Sequence, residues 1–428
     1  MSKKDVYSDI TISGGGIVGC LSALALAKHT DYTITVIETK AITPLKHNEQ
    51  APTHAGFDAR VIALAAESIE HLKYLGVELQ NIQTQAIDSI HVSDKGHVGQ
   101  VLLNKISQAD NESCKSLGEV IALADLGQYL LSELTKHSQI NLLAETNIQH
   151  VVRTQDSVCL NLDGANIINN KDHTLLTKLL LVCDGGNATF AKQLGINFKR
   201  TSYEQTAIIT NVIMQKPHNN QAFERFTSQG PIAFLPMALS SGPKATANKL
   251  TQSKSNKVMS VVWCASNTKA DDLLSLSHAE FSRQLEDLFG SRLGKIQDLS
   301  SRFVYPLALN QAEPYTTHRV ASLGNAAQSL HPIAGQGFNL GIRDVVDMVK
   351  VQLESRTKND PGSFHCMQQY KQLRDTDKRD TILATDSLVR VFSNQYWPLV
   401  LTRNLGLHVL NSFAPLKSAF TQFAIGRR

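Results

Sequence analysis

Tyr7-Ser-Asp-Ile-Thr-Ile-Ser-Gly14-Gly-Gly16-Ile-Val-Gly19-Cys-Leu-Ser-Ala-Leu-Ala-Leu-Ala-Lys-His29, followed by Thr33-Ile-Thr-Val-Ile37-Glu38, decides the fold. Tyr7 to Ser13 reads as a strand, Ile17 to His29 as an Ala/Leu-rich helix and Thr33 to Ile37 as a second strand. Between strand and helix lies Gly14-x-Gly16-x-x-Gly19. A strand–turn–helix–strand unit with this spacing and a terminal acid, Glu38, is a dinucleotide site. Gly14 allows the tight turn, Gly16 lets a pyrophosphate approach and Gly19 lets helix pack on strand. Glu38 is placed to accept hydrogen bonds from a ribose diol. Ile17 and Val18 open the helix whose free N–H groups face the phosphates. The motif alone does not separate FAD from NAD.

A second loop of the same kind lies far down the chain. Arg319 to Leu323 is a short apolar run, ended by Gly324-Asn325. Pro332, Gly335 and Gly337 then punctuate the chain, and Phe338 to Lys350 turns helical. Strand, glycine-rich loop and helix let backbone approach a flat or anionic ligand. His331 beside Pro332 is the one histidine in a chemically loaded loop, where shaping the backbone and catalysis are both open roles.

The 428 residues are more than one core usually holds, so at least two domains are expected. With 42% hydrophobic and 19% charged residues the composition is that of a globular protein, and a net charge of +4 gives no reason to expect nucleic acid as a partner. The six cysteines form no C-x-x-C pair, which speaks against zinc, a redox dithiol or a disulfide framework and for a reducing compartment. Asp5 and Asp9 sit where the apolar part of a signal peptide would begin. No H-E-x-x-H, G-x-S-x-G or P-loop lysine motif is present, so metal, serine-hydrolase and kinase chemistry have no support.

Between the two loops, Thr43 to Gly56 reads as a loop and Phe57-Asp58-Ala59-Arg60 leads into a helix through Leu75, with Asp58 as a candidate N-cap and Gly76 as C-cap. Arg60 is a phosphate clamp, a ring contact or a solvated helix-start arginine. Ile90 to Ser93 and Val101 to Leu103 pair around Gly96. Asp125 caps a helix to Leu134, with Gln128 in its first turn. Val151 to Thr154 and Ser157 to Leu162 form a hairpin. Thr177 to Cys183 is a strand buried on both faces, ending at Asp184-Gly185, a ribose-side hydroxyl ligand or a simple turn. From Thr206 the strands 206–214, 222–226, 232–235 and 258–264 indicate a largely antiparallel sheet, with 238–257 a solvated loop, Ser277 to Phe289 a helix and Phe303 to Leu307 a returning strand. Phe223, Phe226, Phe234 and Trp263 either wall a pocket or fill a core. Beyond Lys350 the chain is helical, and the charges Lys371, Arg374, Asp375, Asp377, Lys378, Arg379 and Asp380 are expected mostly in solvent. The apolar segment 397–428 is expected to pack on the cofactor domain, with a partner or a membrane surface as alternatives.

Taken together, Gly14-x-Gly16-x-x-Gly19 with Glu38, Asp184-Gly185, and Gly324-Asn325 followed by His331-Pro332-x-x-Gly335-x-Gly337-x-Asn339 resemble the single-component FAD-dependent aromatic hydroxylases. Gly56 to Ala66, Ala222-Phe-Glu-Arg-Phe226 with Gly230-Pro231, Arg292-Leu-Gly-Lys295, Gly324 to Gln328, Thr385 to Leu388 and Arg403-Asn-x-Gly-Leu407 are similar to the 2-octaprenyl-6-methoxyphenol hydroxylases of ubiquinone biosynthesis.

The resemblance implies an α/β (α+β) two-domain fold of the para-hydroxybenzoate hydroxylase type. A discontinuous Rossmann-like FAD-binding domain (1–78, 115–197, 296–355) would carry an inserted antiparallel β-sheet substrate domain (79–114, 198–295), with a C-terminal helical region at 356–428. It implies that Gly14, Gly16, Ile17, Val18, Gly19 and Glu38 hold the ADP part of FAD. Arg60, Gln128, Asp184, Gly324 and Asn325 would hold its remainder. The loop Pro332, Gly335, Gln336, Gly337, Phe338 and Asn339 would face the flavin ring. It departs from the wider family at Asn325, usually Asp, and after Gly185, where Ala188 stands without the usual Arg. NAD(P)H would reduce FAD, and O2 would then deliver one oxygen atom to an electron-rich, prenylated phenol. A cytoplasmic protein is implied, with peripheral contact at the inner membrane and other ubiquinone-biosynthesis proteins as partners that a prenyl tail would favour. Hydroxylation at another ring position or of another aromatic, a halogenase or prenyl reductase of the same fold, and an FAD-holding scaffold subunit are the competing readings; the halogenase W-x-W motif cannot be formed by Trp263 and Trp397.

Overall fold

A computed structural model of the chain describes residues 6–42, 60–105, 116–164, 173–238, 256–354, 360–392 and 397–426. In chain order, β1 (Val6–Ser13), α1 (Ile17–His29) and β2 (Ile34–Ile37) form the N-terminal βαβ unit. Then come β3 (Val61–Ala65), α2 (Ala66–Leu75), β4 (Thr84–Ile87), β5 (Ser89–Asp94), β6 (Gln100–Asn104), β7 (Gly118–Ala122) and α3 (Leu123–Leu134). β8 (Ile140–Leu143), β9 (Thr146–Arg153), β10 (Val158–Gly164), β11 (His173–Val182) and α4 (Ala188–Gln193) lead to β12 (Asn197–Met214). β13 (Gln221–Phe226), β14 (Ile232–Pro236), β15 (Val258–Ser266), α5 (Asn267–Ser275), α6 (His278–Phe289), β16 (Ile296–Leu299) and β17 (Phe303–Glu313) follow. The chain ends with β18 (Thr316–Thr317), β19 (Val320–Ser322), β20 (Gln328–Ser329), α7 (Gln336–Glu354), α8 (Phe364–Phe392), α9 (Trp397–Ser412) and α10 (Ala414–Ala424).

The first sheet runs β18-β19-β11-β1-β2-β8, with the hairpin β9–β10 added at β11. Its central strands are parallel: β19, β11, β1, β2 and β8. Parallel strands need helical crossovers on their faces. Helices α1, α3 and α7 cover one face through Leu21, Leu26, Leu130, Ile342 and Val349. Phe190 and Leu194 of α4 cover the other. This double cover is why β11 ends in the apolar run Leu179 to Val182.

The second sheet runs β20-β17-β12-β15-β14-β13-β5-β6, with β16 beside β12. All its pairs are antiparallel except β13–β5, which is parallel. α5 and α6 seal its outer face over Phe234, Trp263, Phe281 and Phe289. Strands β16 and β17 belong to this sheet, not to the cofactor unit expected from residue 296 onward. β12 is also twice as long as its apolar part. Its polar first half, Lys199 to Ser202, shows no strand alternation, yet pairs with β17 across a bulge at Ser202/Gln205. A small third sheet, β3-β7-β4, joins the two units.

Two local expectations are corrected. The helix expected from residue 60 begins at Ala66, because Val61 to Ala65 pair with β7 instead; β-branched Val61 and Ile62 suit that strand. Gly76 does cap α2, at φ 102° with its N–H bonded to the Leu72 and Lys73 carbonyls. Asp125 lies in the first turn of α3, which starts at Leu123 without a side-chain cap. Asp58 lies outside the described residues. Ser277 makes a capping box with Glu280 at the start of α6.

The tail departs most. Lys371, Asp375, Arg379 and Asp380 lie at or near the surface, but Arg374 and Lys378 are buried one helical turn apart on α8. Arg374 Nε donates to Asp344 Oδ1 at 2.7 Å, and its Nη1 reaches Asp347 at 2.9 Å and Asp377 at 2.6 Å. Lys378 lies 3.6 Å from Asp344 and over the Tyr315 ring. Burial pushes the Lys378 ammonium down to about 8. Burial would raise Asp344, but Lys378 and Arg374 hold it below the usual carboxylate range. Among the described residues no helix is long and apolar enough to cross a membrane.

Removing one partner from a buried ion pair leaves the other charge uncompensated. Arg374→Ala is therefore expected to lower unfolding free energy by about 3–5 kcal/mol, whereas exposed Arg379→Ala should stay within about 0.5 kcal/mol. Urea denaturation of the two variants checks this.

Candidate active site

A single cavity of about 770 Å³ runs from the glycine turn of the first sheet to the inner face of the second. At the first end, Gly14 has φ +106°, and a Cβ there would sit 2.6 Å from the Cys183 carbonyl oxygen. A Cβ on Gly19 would sit 1.9 Å from the Gly14 carbonyl oxygen, so the helix approaches only without one. A Cβ on Gly16 would meet nothing within 4 Å and points into open space on the cavity wall. Glu38 is buried and accepts the Gly15 N–H at 2.7 Å and the Lys40 N–H at 2.8 Å. It braces the turn and also lines the cavity.

Asp184, at the end of β11, accepts the Gly186 and Asn187 N–H groups on Oδ1. Among the described residues its Oδ2, buried on this wall, has no hydrogen-bond partner. Burial raises its carboxyl above the ordinary range, against the backbone hydrogen bonds that lower it. A buried acceptor with no donor is a place for a ligand hydroxyl. Gly324 and Asn325 stand beside it, at the end of the parallel neighbour β19, and the Gly324 N–H is held by Asp344 Oδ2 at 2.9 Å. Arg60 enters from the β3 edge with its guanidinium 4.6 Å from the Tyr305 ring centre of β17, tying the two sheets across the cavity.

The loop His331–Phe338 separates the two ends. His331 is fully buried: Nδ1 accepts the Ile333 N–H at 3.2 Å and Nε2 bonds Gln205 Oε1 at 3.0 Å. Burial pushes it down to about 4, so it is neutral. With both nitrogens used inside the protein, it shapes backbone. Asn339 does the same, accepting the Ala65 N–H and donating to the Ala63 and Gly335 carbonyls.

Of the residues expected here, Gly14, Gly16, Ile17, Val18, Glu38, Arg60, Asp184, Gly324, Asn325, Pro332, Gly335, Gly337 and Phe338 lie on the cavity wall. Gly19, Gln128, Gln336 and Asn339 do not. Gln128 is half-buried on α3, whose first residue Leu123 takes the wall position instead. Among the four aromatics, Phe223 reaches the wall, while Phe226 stacks on Phe392 and Phe234 on Phe289, and Trp263 is core. The substrate-side wall is instead Ala207, Ile209, Ala222, Ala233, Leu235 and Val262, with Glu224 and Tyr305. Alternation along Ala222-Phe-Glu-Arg-Phe226 places Glu224 on the Ala222 face, the one signal in the sequence that could have found it.

The FAD binding domain family matches residues 7–361. The chain belongs to this family. Over 424 residues this flavoprotein is 31% identical to ubiquinone hydroxylase UbiL of Rhodospirillum rubrum, covering 99% of the chain and 90% of that protein. It is 28% identical to 3-demethoxyubiquinol 3-hydroxylase of Escherichia coli, over 98% of each chain. The crystal structure of p-nitrophenol 4-monooxygenase PnpA from Pseudomonas putida superimposes with a TM-score of 0.73 at 15% identity, over 99% of both chains, and shares the fold. The flavoprotein is an FAD-dependent aromatic monooxygenase of the ubiquinone-biosynthesis hydroxylase group. The wall fits the cofactor on its own terms: an open cradle at Gly16, a helix N-terminus behind it and an orphan acceptor at Asp184.

Gly16→Val fills that cradle. The purified variant is expected to lose FAD, read as loss of flavin absorbance, with near-wild-type far-UV dichroism.

Proposed function

We propose that the protein hydroxylates the ring of a prenylated phenol, of the 2-octaprenyl-6-methoxyphenol type, with NAD(P)H and O2. The observation that carries this reading is the continuity of the cavity: a dinucleotide turn at one end opens onto an alanine-rich, apolar sheet face at the other. Ala207, Ala222 and Ala233 leave room for a ring, and Ile209, Leu235 and Val262 supply apolar contact for a prenyl substituent.

Gly14, Gly16, Ile17, Val18 and Glu38 would hold the adenosine-diphosphate part of FAD, Asp184, Asn325 and Arg60 its middle, and Gly335, Gly337 and Phe338 its ring. When bound, FAD accepts a hydride from NAD(P)H and, once reduced, activates O2 for oxygen transfer. The protein's part is to orient and to keep water away. The buried His331–Gln205 pair and the Asn339 bonds lock the loop between cofactor and phenol, so the ring is presented without loop rearrangement. The apolar sheet face excludes water from the reacting centre.

A membrane surface is the partner this reading favours. Leu405, Val409, Phe413 and Leu416 of α9, the short turn after it and α10 are 60%, 44%, 57% and 45% exposed, spaced three or four residues apart. Such a stripe suits shallow contact with lipid that carries the substrate.

With a short-chain prenyl methoxyphenol, NAD(P)H and labelled dioxygen, one labelled oxygen is expected on the ring. Unlabelled ring with continued NAD(P)H oxidation refutes this substrate class. Leu405→Asp with Phe413→Asp is expected to abolish co-sedimentation with anionic phospholipid vesicles while leaving FAD content unchanged.

A further inference from the structure

We propose that Glu224 is the base that takes the phenol proton while the ring is oxygenated; this rests on the prenylated-phenol reading above. The sheet register isolates this carboxylate. Glu224 pairs with Val92 of β5 on one side and Ala233 of β14 on the other, and Ala233 continues to Val262 and Ile209. The row therefore reads Val92, Glu224, Ala233, Val262, Ile209, one acid in an apolar line. The last four of these line the cavity.

Among the described residues the Glu224 oxygens accept no hydrogen bond and face no cation within ion-pair distance. Arg225, next in sequence, points to the opposite face, where it donates to the Leu288 carbonyl and to Ser93. A carboxylate placed in apolar surroundings without a donor is costly, and packing alone would be better served by an apolar side chain. Burial pushes Glu224 up to about 7, the range in which a general base works near neutral pH.

The other titratable groups around the cavity do not compete. His331 has both ring nitrogens engaged and stays neutral. Tyr305 carries the Arg60 guanidinium on its face. The Cys264 thiol, two positions along β15 from Val262 of this row, is pushed far up by burial and by the Glu224 charge. His91, on the neighbouring β5, pairs with Phe223 instead of Glu224 and lies against its ring. Asp184 and Glu38 belong to the cofactor end.

The step is a proton transfer. The phenol O–H bond breaks, an O–H bond forms on a Glu224 carboxylate oxygen, and the electron pair stays on the phenol oxygen, enriching the ring carbon that receives oxygen. No oxidant beyond the O2 and NAD(P)H of the hydroxylation is needed. The proton leaves to solvent when product departs, restoring the base.

The test uses FAD-loaded wild type, Glu224→Gln and Glu224→Asp in single turnovers with labelled dioxygen and a short-chain prenyl methoxyphenol. The carboxylate is the active form, so wild-type oxygenation should rise with pH through about 7 and then level. Glu224→Gln should retain FAD, lose that rise and oxygenate about 10²–10⁴-fold more slowly; Glu224→Asp should recover part of the rate with a displaced rise. Separately, without substrate, infrared difference spectra should show a carboxylic-acid band titrating near that pH in wild type and missing from Glu224→Gln. Equal rates and equal pH profiles for Glu224→Gln and wild type would overturn the assignment. If wild type itself leaves the ring unlabelled, the substrate reading fails, and the infrared band decides Glu224: its loss in Glu224→Gln keeps it as a titrating cavity acid, its persistence removes it.

Discussion

The carboxylate of Asp344 is the point on which the cofactor end of the molecule depends. It is wholly buried on α7, yet charged, because Arg374 and Lys378 of α8 surround it. Its second oxygen holds the Gly324 N–H and the Gln328 side chain. One acid thus joins α8, the helix behind the loop and the turn beside Asp184. Its attraction to Arg374 is strong because the interior is poorly polarisable, and for the same reason neither charge tolerates losing the other.

A second constraint sets the cavity. β12 and β17 run through the second sheet, whose edge strand β20 follows the Gly324 turn. Arg60 on Tyr305 and Asn339 on the β3 backbone close the remaining edges. His331 on the cleft wall, and Asn339 and Asp344 off it, all spend their polar atoms on main chain or on other buried side chains. Rigid walls of this kind favour chemistry that depends on position and on exclusion of water. The C-terminal helices add a further lock, since Arg403 and Asn404 of α9 both bond Asp94 of β5, next to the strand that carries Glu224.

Much of this was legible in the residue order where local physics decides. The β1–α1–β2 unit follows from strand and helix periodicity around three glycines, of which Gly19 is demanded by the Gly14 carbonyl and Gly14 by the adjacent end of β11. α6 is announced by its capping box, and β11 by an apolar run that only double burial explains. The reading failed where a partner distant in sequence supplies the stabilisation. Val61 to Ala65 carry helix-compatible apolar spacing but become a strand because β7 offers hydrogen bonds. The polar half of β12 has no strand pattern and is held by β17 alone. Arg374 and Lys378 look like surface charge until Asp344, thirty-odd positions earlier, is placed beneath them.

By itself the sequence determined a dinucleotide-binding βαβ unit, a second glycine loop, a β-rich insert and a helical tail, because turns, caps and periodicity act over a few residues. Only the tertiary structure decided that the two glycine loops share one cavity, that Asp184 keeps an oxygen there with no partner among the described residues, that His331 is neutral and structural, and that Glu224 sits in an apolar row of the sheet. Each of these depends on which groups surround an atom after the chain has closed on itself, and burial and hydrogen-bond satisfaction have no local signature in the order of residues.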